Sequence, residues 1–364
     1  MIKLKYMVCI PALVCSFYPI LASAQDRLVT VKKIEIPGAP ARFDYSAIDQ
    51  QNARLYVNQE GANRTLVFST HNYRFRGEIS GISQPTGITI TPRGNLAFIS
   101  SPGYPLLAPP DRPHVWGNGV VDVVNLINLR VVRKLPVSIF PDGSAWVPKE
   151  SRLFVSNERA GREVVIGGDP MRVLASIPLG GQAGNVVYDP RTKRIIVNIQ
   201  TLNQIAVINP KSLKITRRIP LPQGCVNNHG LLLDTSKNLA FIACTGHLHL
   251  PPGEVKNDQS KILVMRLPDF KALQFNIVGE NPDVLSLDTV RQRLWVGSES
   301  GVVAVFKIGS EVAKPMKNIW FGWVGSDAHS VAVDPKTGFA WFPLLDVNGH
   351  SEIRVVKLEQ LGSA

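Results

Sequence analysis

GNVVYDPRTKRIIVNIQ (residues 184–200) decides the fold, because it is one of seven copies of a single pattern. In each copy an apolar strand, a polar turn and a second apolar strand follow one another. The other copies occupy residues 42–60, 85–101, 142–158, 228–244, 281–299 and 327–344. Such a repeat indicates that one small sheet recurs along the chain and that neighbouring sheets bury each other's faces. It predicts an all-β fold, a seven-bladed β-propeller, with function at one end of its central channel.

The sequence around each copy predicts four antiparallel strands per blade. The turns, such as DPRTK at residues 189–193, are typical of hairpins, and further strands follow, for example at residues 205–208 and 215–221. Residues 352–358 supply a third strand with no clear fourth, whereas residues 28–36 resemble a fourth strand with no blade before it. We therefore expect the N-terminal strand to complete the last blade, which closes the ring and removes open sheet edges.

Residues 1–24 are typical of a cleaved secretory signal. Two lysines precede an apolar run over residues 7–21, and residues 22–24 (Ala-Ser-Ala) form a small-residue cleavage site. The run is short for a membrane span, so we expect export to the periplasm or the medium, with an uncleaved anchor as the alternative. Residues 25–364 then form one propeller domain, with about 49 residues per blade, which we expect to be monomeric.

The chain is basic, with 40 Lys and Arg against 28 Asp and Glu and a net charge of +12. Of its four cysteines, Cys225 and Cys244 lie outside the leader, and an exported protein can keep such a pair oxidised. We expect a disulfide between them at the mouth end of blade five, with two buried thiols as the alternative. The sequence contains no CxxCH, GxSxG, Walker or HExxH motif.

Residues 55–58 (Leu-Tyr-Val-Asn) and 195–215 resemble the YVTN repeat of exported, YncE-like seven-bladed propellers, which are built from WD40-like repeats. The resemblance covers nearly the whole chain after the leader and implies the propeller fold. Blades two and five depart from the repeat at residues 98–100 (Phe-Ile-Ser) and 241–243 (Phe-Ile-Ala). Because the family includes ligand-binding, DNA-associated and enzyme-related propellers, the resemblance does not choose among functions.

Alignment of the seven copies on their turns places one residue per blade at the start of the inner strand, in a ring around the channel mouth. The ring positions hold Asp44, Thr86, Asp142, Asn185 (after Gly184), His229, Asp283 and His329. A second ring follows from the ends of the second strands, where Glu60, Glu158 and Glu299 each stand sixteen residues after an aspartate of the first ring. We predict that these side chains bind a ligand.

Carboxylates and imidazoles that converge from several blades can hold a divalent metal ion, the possible cofactor of this protein. The candidate metal ligands are Asp44, Asp142, His229, Asp283 and His329. His229, His329 and Asp142 are also candidates for acid–base catalysis, because crowding raises carboxyl pKa values. Alternatively, these residues hydrogen-bond to loop backbone and hold the ring together without a ligand.

Two proline-rich insertions, residues 101–117 and 245–260, lengthen loops on the mouth face and are candidates for a lid. We expect Trp323, with Trp320 and Phe321, to add an aromatic wall to the ligand site. The same register assigns six of the seven histidines to this face: His114, His229, His247, His249, His329 and His350.

The turns on the opposite face carry much of the positive charge. The basic residues there are Arg93, Lys149, Arg152, Arg191, Lys193, Arg194, Lys237, Arg291, Arg293 and Lys336. They could hold the protein near an anionic membrane surface or another polyanion. Alternatively, they form a solvated surface that keeps the protein soluble.

Three functions remain open at this point. We favour an exported binding or scaffold propeller that captures a small molecule or a protein partner at its channel mouth. The second is a metal-dependent hydrolase or lyase, such as a lactonase, that uses the Asp and His ring. The third is association with DNA or another polyanion. Whether the protein is an enzyme is left undecided by the sequence.

Overall fold

The computed structural model describes residues 26–103, 119–246, 259–309 and 316–360. These residues form 28 strands in seven four-stranded antiparallel sheets, and the two helices among them are single 3₁₀ turns of three residues. Within these ranges, no helix has the length and apolar character needed to cross a bilayer. The chain is thus a seven-bladed β-propeller, and the fold prediction is confirmed.

The strands follow the repeat along the chain. The first thirteen are β1 (Arg27–Ile36), β2 (Ser46–Asp49), β3 (Arg54–Gln59), β4 (Arg64–Ser69), β5 (Phe75–Ile79), β6 (Ile88–Ile90), β7 (Leu96–Ser101), β8 (Val120–Asn125), β9 (Arg130–Pro136), β10 (Pro141–Val147), β11 (Arg152–Asn157), β12 (Arg162–Gly167) and β13 (Arg172–Pro178). The others are β14 (Ala183–Asp189), β15 (Arg194–Ile199), β16 (Gln204–Asn209), β17 (Lys214–Pro220), β18 (Asn228–Asp234), β19 (Leu239–Cys244), β20 (Lys261–Arg266), β21 (Lys271–Ile277), β22 (Pro282–Asp288), β23 (Arg293–Ser298), β24 (Val302–Lys307), β25 (Lys317–Trp323), β26 (Ala332–Asp334), β27 (Phe339–Val347) and β28 (His350–Glu359).

Blade one is the sheet β2 to β5, and each following blade takes the next four strands. Only three strands, β26 to β28, then remain for blade seven, which needs a fourth. Strand β1 supplies it. It pairs antiparallel with β28, from Arg27 opposite Glu359 to Ile36 opposite Ser351. The N-terminal strand therefore closes the ring as expected, and the first and last parts of the described chain hold each other.

The core consists of apolar layers between adjacent blades. Leu153 and Val155 of β11 pack in the layer shared with blade two, whereas Phe154 between them packs with Val197 in the layer shared with blade four. Because both faces of each blade are covered, its middle strands are apolar at nearly every position. This explains the continuous apolar runs of the repeat.

Asn198 ties blade four to blade five. Its side chain is fully buried, and Nδ2 donates to the carbonyl oxygens of His229 (3.0 Å) and Gly230 (3.1 Å) on the next inner strand. Asn58 donates in the same way to the carbonyl oxygen of Thr86 in blade two. Both asparagines stand at the asparagine position of the segments that resemble the YVTN repeat, so this part of the motif joins neighbouring blades.

In five of the seven blades, the turn on the face opposite the mouth is closed by the aspartate that begins it. Asp189 Oδ1 accepts from the backbone N–H of Arg191 (2.9 Å), and Oδ2 accepts from the hydroxyl of Thr192 (2.6 Å). Asp288 Oδ1 accepts from the backbone N–H of Arg291 (2.8 Å) in the same way. Local bonds of this kind stabilise the turn without tertiary contacts, so the turns are readable in the sequence.

Some of the arginines in these turns join neighbouring hairpins. The Arg191 guanidinium donates to the carbonyl oxygen of Thr235 (2.7 Å) in the next blade. Arg293, expected among the surface charges, is only 6% exposed and donates to the carbonyl oxygen of Leu358 (3.1 Å). Part of the positive charge on this face therefore has a structural role.

Cys225 and Cys244 form a disulfide, with their Cα atoms 5.0 Å apart. Cys225 precedes β18 and Cys244 ends β19, so the bond fixes the entry into blade five beside the mouth end of its second strand. The expected leader (residues 1–24), most of both insertions, and His114, His247 and His249 lie outside the described residues.

We expect Asn198→Ala to lower the free energy of unfolding by about 1–3 kcal/mol, because two buried carbonyl oxygens lose their donor. Urea denaturation measures the change. Asn318→Ala, at an exposed position on β25, is the control and should stay within about 0.5 kcal/mol of wild type. Equal stabilities of the two variants would show that the asparagine does not hold the blades together.

Glu163 makes the stability of the fold depend on pH. It is fully buried, and its Oε2 accepts from the Ser156 hydroxyl (3.1 Å). Burial raises the pKa of Glu163 well above its ordinary value, so the folded protein keeps a proton that the unfolded chain releases. Folding stability therefore decreases as pH rises above the ordinary glutamate range, about 4.3.

Glu163→Gln removes this titration and keeps the size of the side chain. We expect the variant to be more stable than wild type at pH 8, with a smaller advantage at pH 4.5. Unfolding temperatures of both proteins at the two pH values check this. An advantage that does not change with pH would contradict it.

Candidate functional site

Four of the seven ring residues lie at irregularities of the inner strands. The register of β10 against β11 shifts by one residue at Asp142 and Gly143. The same shift occurs at Asn185 in β14, at His229 in β18 and at Asp283 in β22. Such a β-bulge turns a side chain out of the regular alternation of a strand. In this way the blades present polar groups at the channel mouth while the rest of each strand packs in the core.

The preceding blade holds the backbone of each bulge. The Ser100 hydroxyl donates to the carbonyl oxygen of Asp142 (2.6 Å), and a Cβ placed on Gly87 would lie 2.0 Å from that oxygen. A Cβ on Gly230 would lie 2.1 Å from the carbonyl oxygen of Asp283. Glycine is therefore required at both positions. The preceding blade thus fixes the main chain at Asp142 and Asp283, and the side chains of both residues line the mouth cavity.

A cavity of about 470 Å³ opens at the mouth. Five blades line it, through Arg42, Asp44, Tyr45, Phe140, Asp142, Glu158, Arg159, Gln200, Asn227, His229, Thr245, Asn281, Pro282, Asp283 and Glu299. The Tyr45 hydroxyl of blade one donates to Asn185 Oδ1 of blade four, across the channel. A second cavity of about 340 Å³, lined by all seven inner strands, lies on the other side of Tyr45. Tyr45 thus forms the floor of the mouth cavity.

His229 is the central cation of this cavity. Its Nε2 is 3.1 Å from Asp283 Oδ1 and 4.0 Å from Asp142 Oδ2. Burial opposes its charge, but the two carboxylates outweigh burial and raise the pKa of His229 to about 10. Burial also opposes the charge of Asp283, and His229 with His329 nevertheless lowers the pKa of Asp283. At neutral pH these two residues form an imidazolium–carboxylate pair.

Two other carboxyls of the cavity are less well compensated. Burial raises the pKa of Asp142 to about 7, with a further increase from Glu158, although His229 acts in the opposite direction. Burial and the charges of Asp142 and Glu60 raise the pKa of Asp44 well above its ordinary value. Both carboxyls would gain from a cation in the cavity, because it would favour their ionised forms.

His329 is fully buried next to the same carboxylates. Its Nδ1 lies 3.0 Å from Asp327 Oδ1. Its Nε2 is 3.9 Å from Asp283 Oδ2 and has no hydrogen-bond partner among the described residues. Burial opposes protonation, but Asp327 raises the pKa of His329 overall. Asp44, Asp283 and His329 each offer one ligand atom, and these atoms lie within 4.8 Å of one another, a spacing that a metal ion could use.

Two arginines at the mouth were missed by the sequence analysis. Arg42 contacts carboxylates of three blades: Nε is 3.3 Å from Glu60, Nη2 is 3.0 Å from Glu299, and Nη1 is 3.3 Å from Asp327. Arg159 follows Glu158 in blade three and lines the cavity. The alignment considered one position per strand. Arg42 stands two residues before Asp44 in the same repeat, so a wider alignment would have found it.

The structure brings most of the predicted site residues together. Those that line the cavity are Asp44, Asp142, Glu158, His229, Asp283 and Glu299. His329 lies beside them, and Glu60 contacts Arg42. Thr86 is buried, and its hydroxyl donates to the carbonyl oxygen of Pro141 (3.0 Å), so its side chain joins blades two and three. Asn185 lines the lower cavity.

Trp323 is placed elsewhere. It ends β25, the outermost strand of blade six, is 65% exposed, and with Trp320 borders a pocket against β1 and β28. The expected aromatic wall is therefore on the outer edge of the propeller and not at the mouth. The strand pattern shows that β25 ends near the mouth face, but β23 and β24 lie between it and the inner strand β22.

No protein-family model matches the chain, and no curated protein matches its sequence significantly. By contrast, 1504 chains of solved structures share its fold, so the fold alone selects no function. One is Kuenenia stuttgartiensis hydrazine synthase, 13% identical with a TM-score of 0.69 over 88% of this chain and 97% of that one.

Two others have similar scores. A chain of the mitotic checkpoint complex is 8% identical, with a TM-score of 0.71 over 99% of both chains. The WD40 repeats of RRP9 are 7% identical, with a TM-score of 0.69 over 91% of this chain and 100% of that one. These similarities establish the propeller fold with WD40-like repeats, and membership of the YVTN family stays a prediction.

We expect His229→Gln to lower the free energy of unfolding by about 3 kcal/mol, because Asp283 would keep a buried charge without its partner. Adding Asp283→Asn should restore part of this loss, so that the two changes are non-additive by more than about 1 kcal/mol. Urea denaturation of the single and double variants measures the coupling. The partly exposed pair His350 and Glu35, 3.8 Å apart, is the control and should couple weakly. An additive result at His229 and Asp283 would contradict the ion pair.

Proposed function

We propose that this protein is an exported binding propeller that captures a small, positively charged ligand at the mouth of its channel. One observation carries the proposal: a cavity of about 470 Å³, floored by Tyr45, gathers more negative than positive groups in a chain whose net charge is +12. Export rests on the leader-like residues 1–24 alone.

Among the described residues, seven carboxylates line the cavity or contact its lining: Asp44, Glu60, Asp142, Glu158, Asp283, Glu299 and Asp327. The cationic groups there are the guanidiniums of Arg42 and Arg159 and the imidazoles of His229 and His329. Even with both imidazoles charged, seven potential negative charges face four positive ones. A concave site focuses such a field, so the cavity favours cations over anions.

Asp142 and Glu158 are the groups we expect to contact the ligand. They stand side by side in blade three and line the cavity, and their ion pairs are long. Glu158 Oε1 is 3.5 Å from Arg159 Nε, and Asp142 Oδ2 is 4.0 Å from His229 Nε2. By comparison, Glu60 and Glu299 lie 3.3 and 3.0 Å from Arg42, and Asp283 lies 3.1 Å from His229. A cationic ligand would replace the proton that burial leaves on Asp142 at neutral pH. The ligand would thereby gain a charge-assisted hydrogen bond in a site of low dielectric constant.

A metal-dependent hydrolase, such as a lactonase, is the second candidate. The observation in its favour is that His229 Nε2 lies between Asp283 and Asp142 at the cavity wall, an arrangement that can hold and transfer a proton.

The polyanion alternative has less support, because Arg191 and Arg293 of the basic turns donate to backbone carbonyls. A protein partner at the mouth is a further alternative, since one of the similar solved chains comes from the mitotic checkpoint complex.

The proposal is tested by the shift in unfolding temperature on addition of putrescine, spermidine or choline, with succinate and citrate as anions of similar size. We expect at least one amine to raise the unfolding temperature and neither anion to do so. The double variant Asp142→Asn with Glu158→Gln should bind that amine at least about tenfold more weakly, the loss expected for about 1.4 kcal/mol.

Glu280→Gln is the matched control, because Glu280 is an exposed carboxylate on the mouth face outside the cavity lining. It should bind the amine like wild type. The proposal fails if no amine binds, or if the control loses as much affinity as the cavity variant.

A further inference from the structure

We propose that Asp44, Asp283 and His329 form a binding site for one divalent transition-metal ion of the zinc type, and that Asp327 positions His329 for it. The inference rests on the proposed capture of cations at the mouth and names a specific cation and its ligands. It selects three of the five candidate ligands of the sequence and adds one supporting residue.

The spacing of the three side chains suits a metal ion. His329 Nε2 and Asp283 Oδ2 are 3.9 Å apart, which is too long for a hydrogen bond. Two metal–ligand bonds of about 2.1 Å span at most about 4.2 Å, so an ion fits between these two atoms. A carboxylate oxygen of Asp44 completes a group of three ligand atoms that lie within 4.8 Å of one another. Small side-chain movements would bring all three atoms to bonding distance of one ion.

His329 has a nitrogen that is available to a ligand. This side chain is fully buried, and its Nε2, on the side of Asp283, has no hydrogen-bond partner among the described residues. A buried polar atom without a partner is costly, and a ligand that binds it removes the cost. Two nearby carboxylates make a cation the fitting ligand.

The other nitrogen of the His329 imidazole, Nδ1, contacts Asp327. His329 Nδ1 is 3.0 Å from Asp327 Oδ1 and 3.1 Å from the Asp327 carbonyl oxygen. Imidazoles that bind a metal usually donate their other N–H to a carboxylate or a carbonyl group, which fixes the tautomer and the ring orientation. Asp327 provides both kinds of acceptor, so Nε2 is the nitrogen that faces Asp283.

The remaining two candidates have other contacts. His229 Nε2 is engaged by Asp283 Oδ1 at 3.1 Å, and Asp142 Oδ2 lies 4.0 Å from the same nitrogen. Asp283 therefore uses one oxygen for His229 and keeps Oδ2 for the metal ion. Asp44 is 9% exposed and stands next to Asp142 and Glu60, so a cation there offsets crowded negative charge.

The donor set indicates the kind of metal. One imidazole and two carboxylates suit zinc and similar transition metals, whereas calcium requires six to eight oxygen ligands. Three protein ligands leave a coordination position free. Because Asp44 and Asp283 line the mouth cavity, that position is open to water or to a captured molecule.

The test is isothermal titration of the chelator-treated full chain with zinc chloride, alongside cobalt chloride with detection of the visible absorption of bound Co²⁺. We expect one ion of either metal per chain. His329→Gln should weaken zinc binding at least about 100-fold, and Asp327→Asn about 10- to 100-fold, the range typical of residues that support a metal ligand. Circular dichroism verifies that both variants are folded, and Asp44→Asn is a second ligand variant if His329→Gln does not fold.

His350→Gln is the matched control, because His350 is a partly exposed histidine of the mouth face outside the cavity lining. The double variant His247→Gln with His249→Gln controls for zinc binding by the alternating histidines of the sequence His247-Leu248-His249. Both should bind zinc like wild type. Absence of zinc binding, equal binding by folded His329→Gln, or loss of binding in the His247 and His249 variant would overturn the inference.

The outcome separates this inference from the proposed function. Zinc binding that depends on His329, with no amine bound by the protein, supports the metal site and contradicts capture of an organic cation. Amine binding that depends on Asp142 and Glu158, with no zinc bound, contradicts the metal site alone.

Discussion

The close approach of each inner strand to the preceding blade is the constraint on which the channel mouth depends. The carbonyl oxygens of Asp142 and Asp283 press against Gly87 and Gly230, where no Cβ could be accommodated. Hydrogen bonds from the preceding blade, such as that from Ser100 to Asp142, hold the same backbone. The ring residues are thus part of the joints between blades, and their side chains are left free to form the mouth cavity.

The sequence left two interpretations of the ring residues open: that they bind a ligand, and that they hold the ring of blades together. The structure combines the two. Asp and His at the start of the inner strands do contribute to the ring, but through their main-chain carbonyls, which Asn198 and its counterparts bind. Their side chains meet each other, and His329 Nδ1 also lies 3.1 Å from the backbone carbonyl oxygen of Asp327. His229 with Asp283, and His329 with Asp327, are side-chain contacts between or within ring segments and have no role in the blade cores.

The concentration of buried charged groups at the mouth costs free energy of folding. Buried carboxylates must be paired or protonated, and the mouth uses both means. Arg42 reaches carboxylates of three blades, His229 neutralises Asp283, and burial leaves Asp142 partly protonated at neutral pH. The carboxyl groups at the mouth nevertheless still outnumber the cationic groups there. Fold stability alone would be served better by apolar residues here, and the excess is the physical reason to regard the mouth as a binding site.

The fold and the ring could be predicted because their signals are local and repeated. Apolar runs, aspartate-led turns and the unpaired strands at the two ends identified seven blades and their closure, and alignment on the turns found the ring. Trp323 was misplaced because a strand pattern does not tell the inner from the outer edge of a blade. Arg42 was missed because the alignment compared one position of each strand, and because two of its partners, Glu299 and Asp327, come from distant parts of the chain.

The sequence by itself determined the number of blades, the strand that closes the ring and the residues that meet at the mouth, since periodicity and turn chemistry are written within each repeat. Only the tertiary structure decided how those residues pair. Whether His229 or His329 contacts Asp283, and whether Tyr45 crosses the channel to Asn185, depends on distances between blades far apart in the chain. These distances follow from the bulges of the inner strands and the packing of the whole ring, which no single repeat contains.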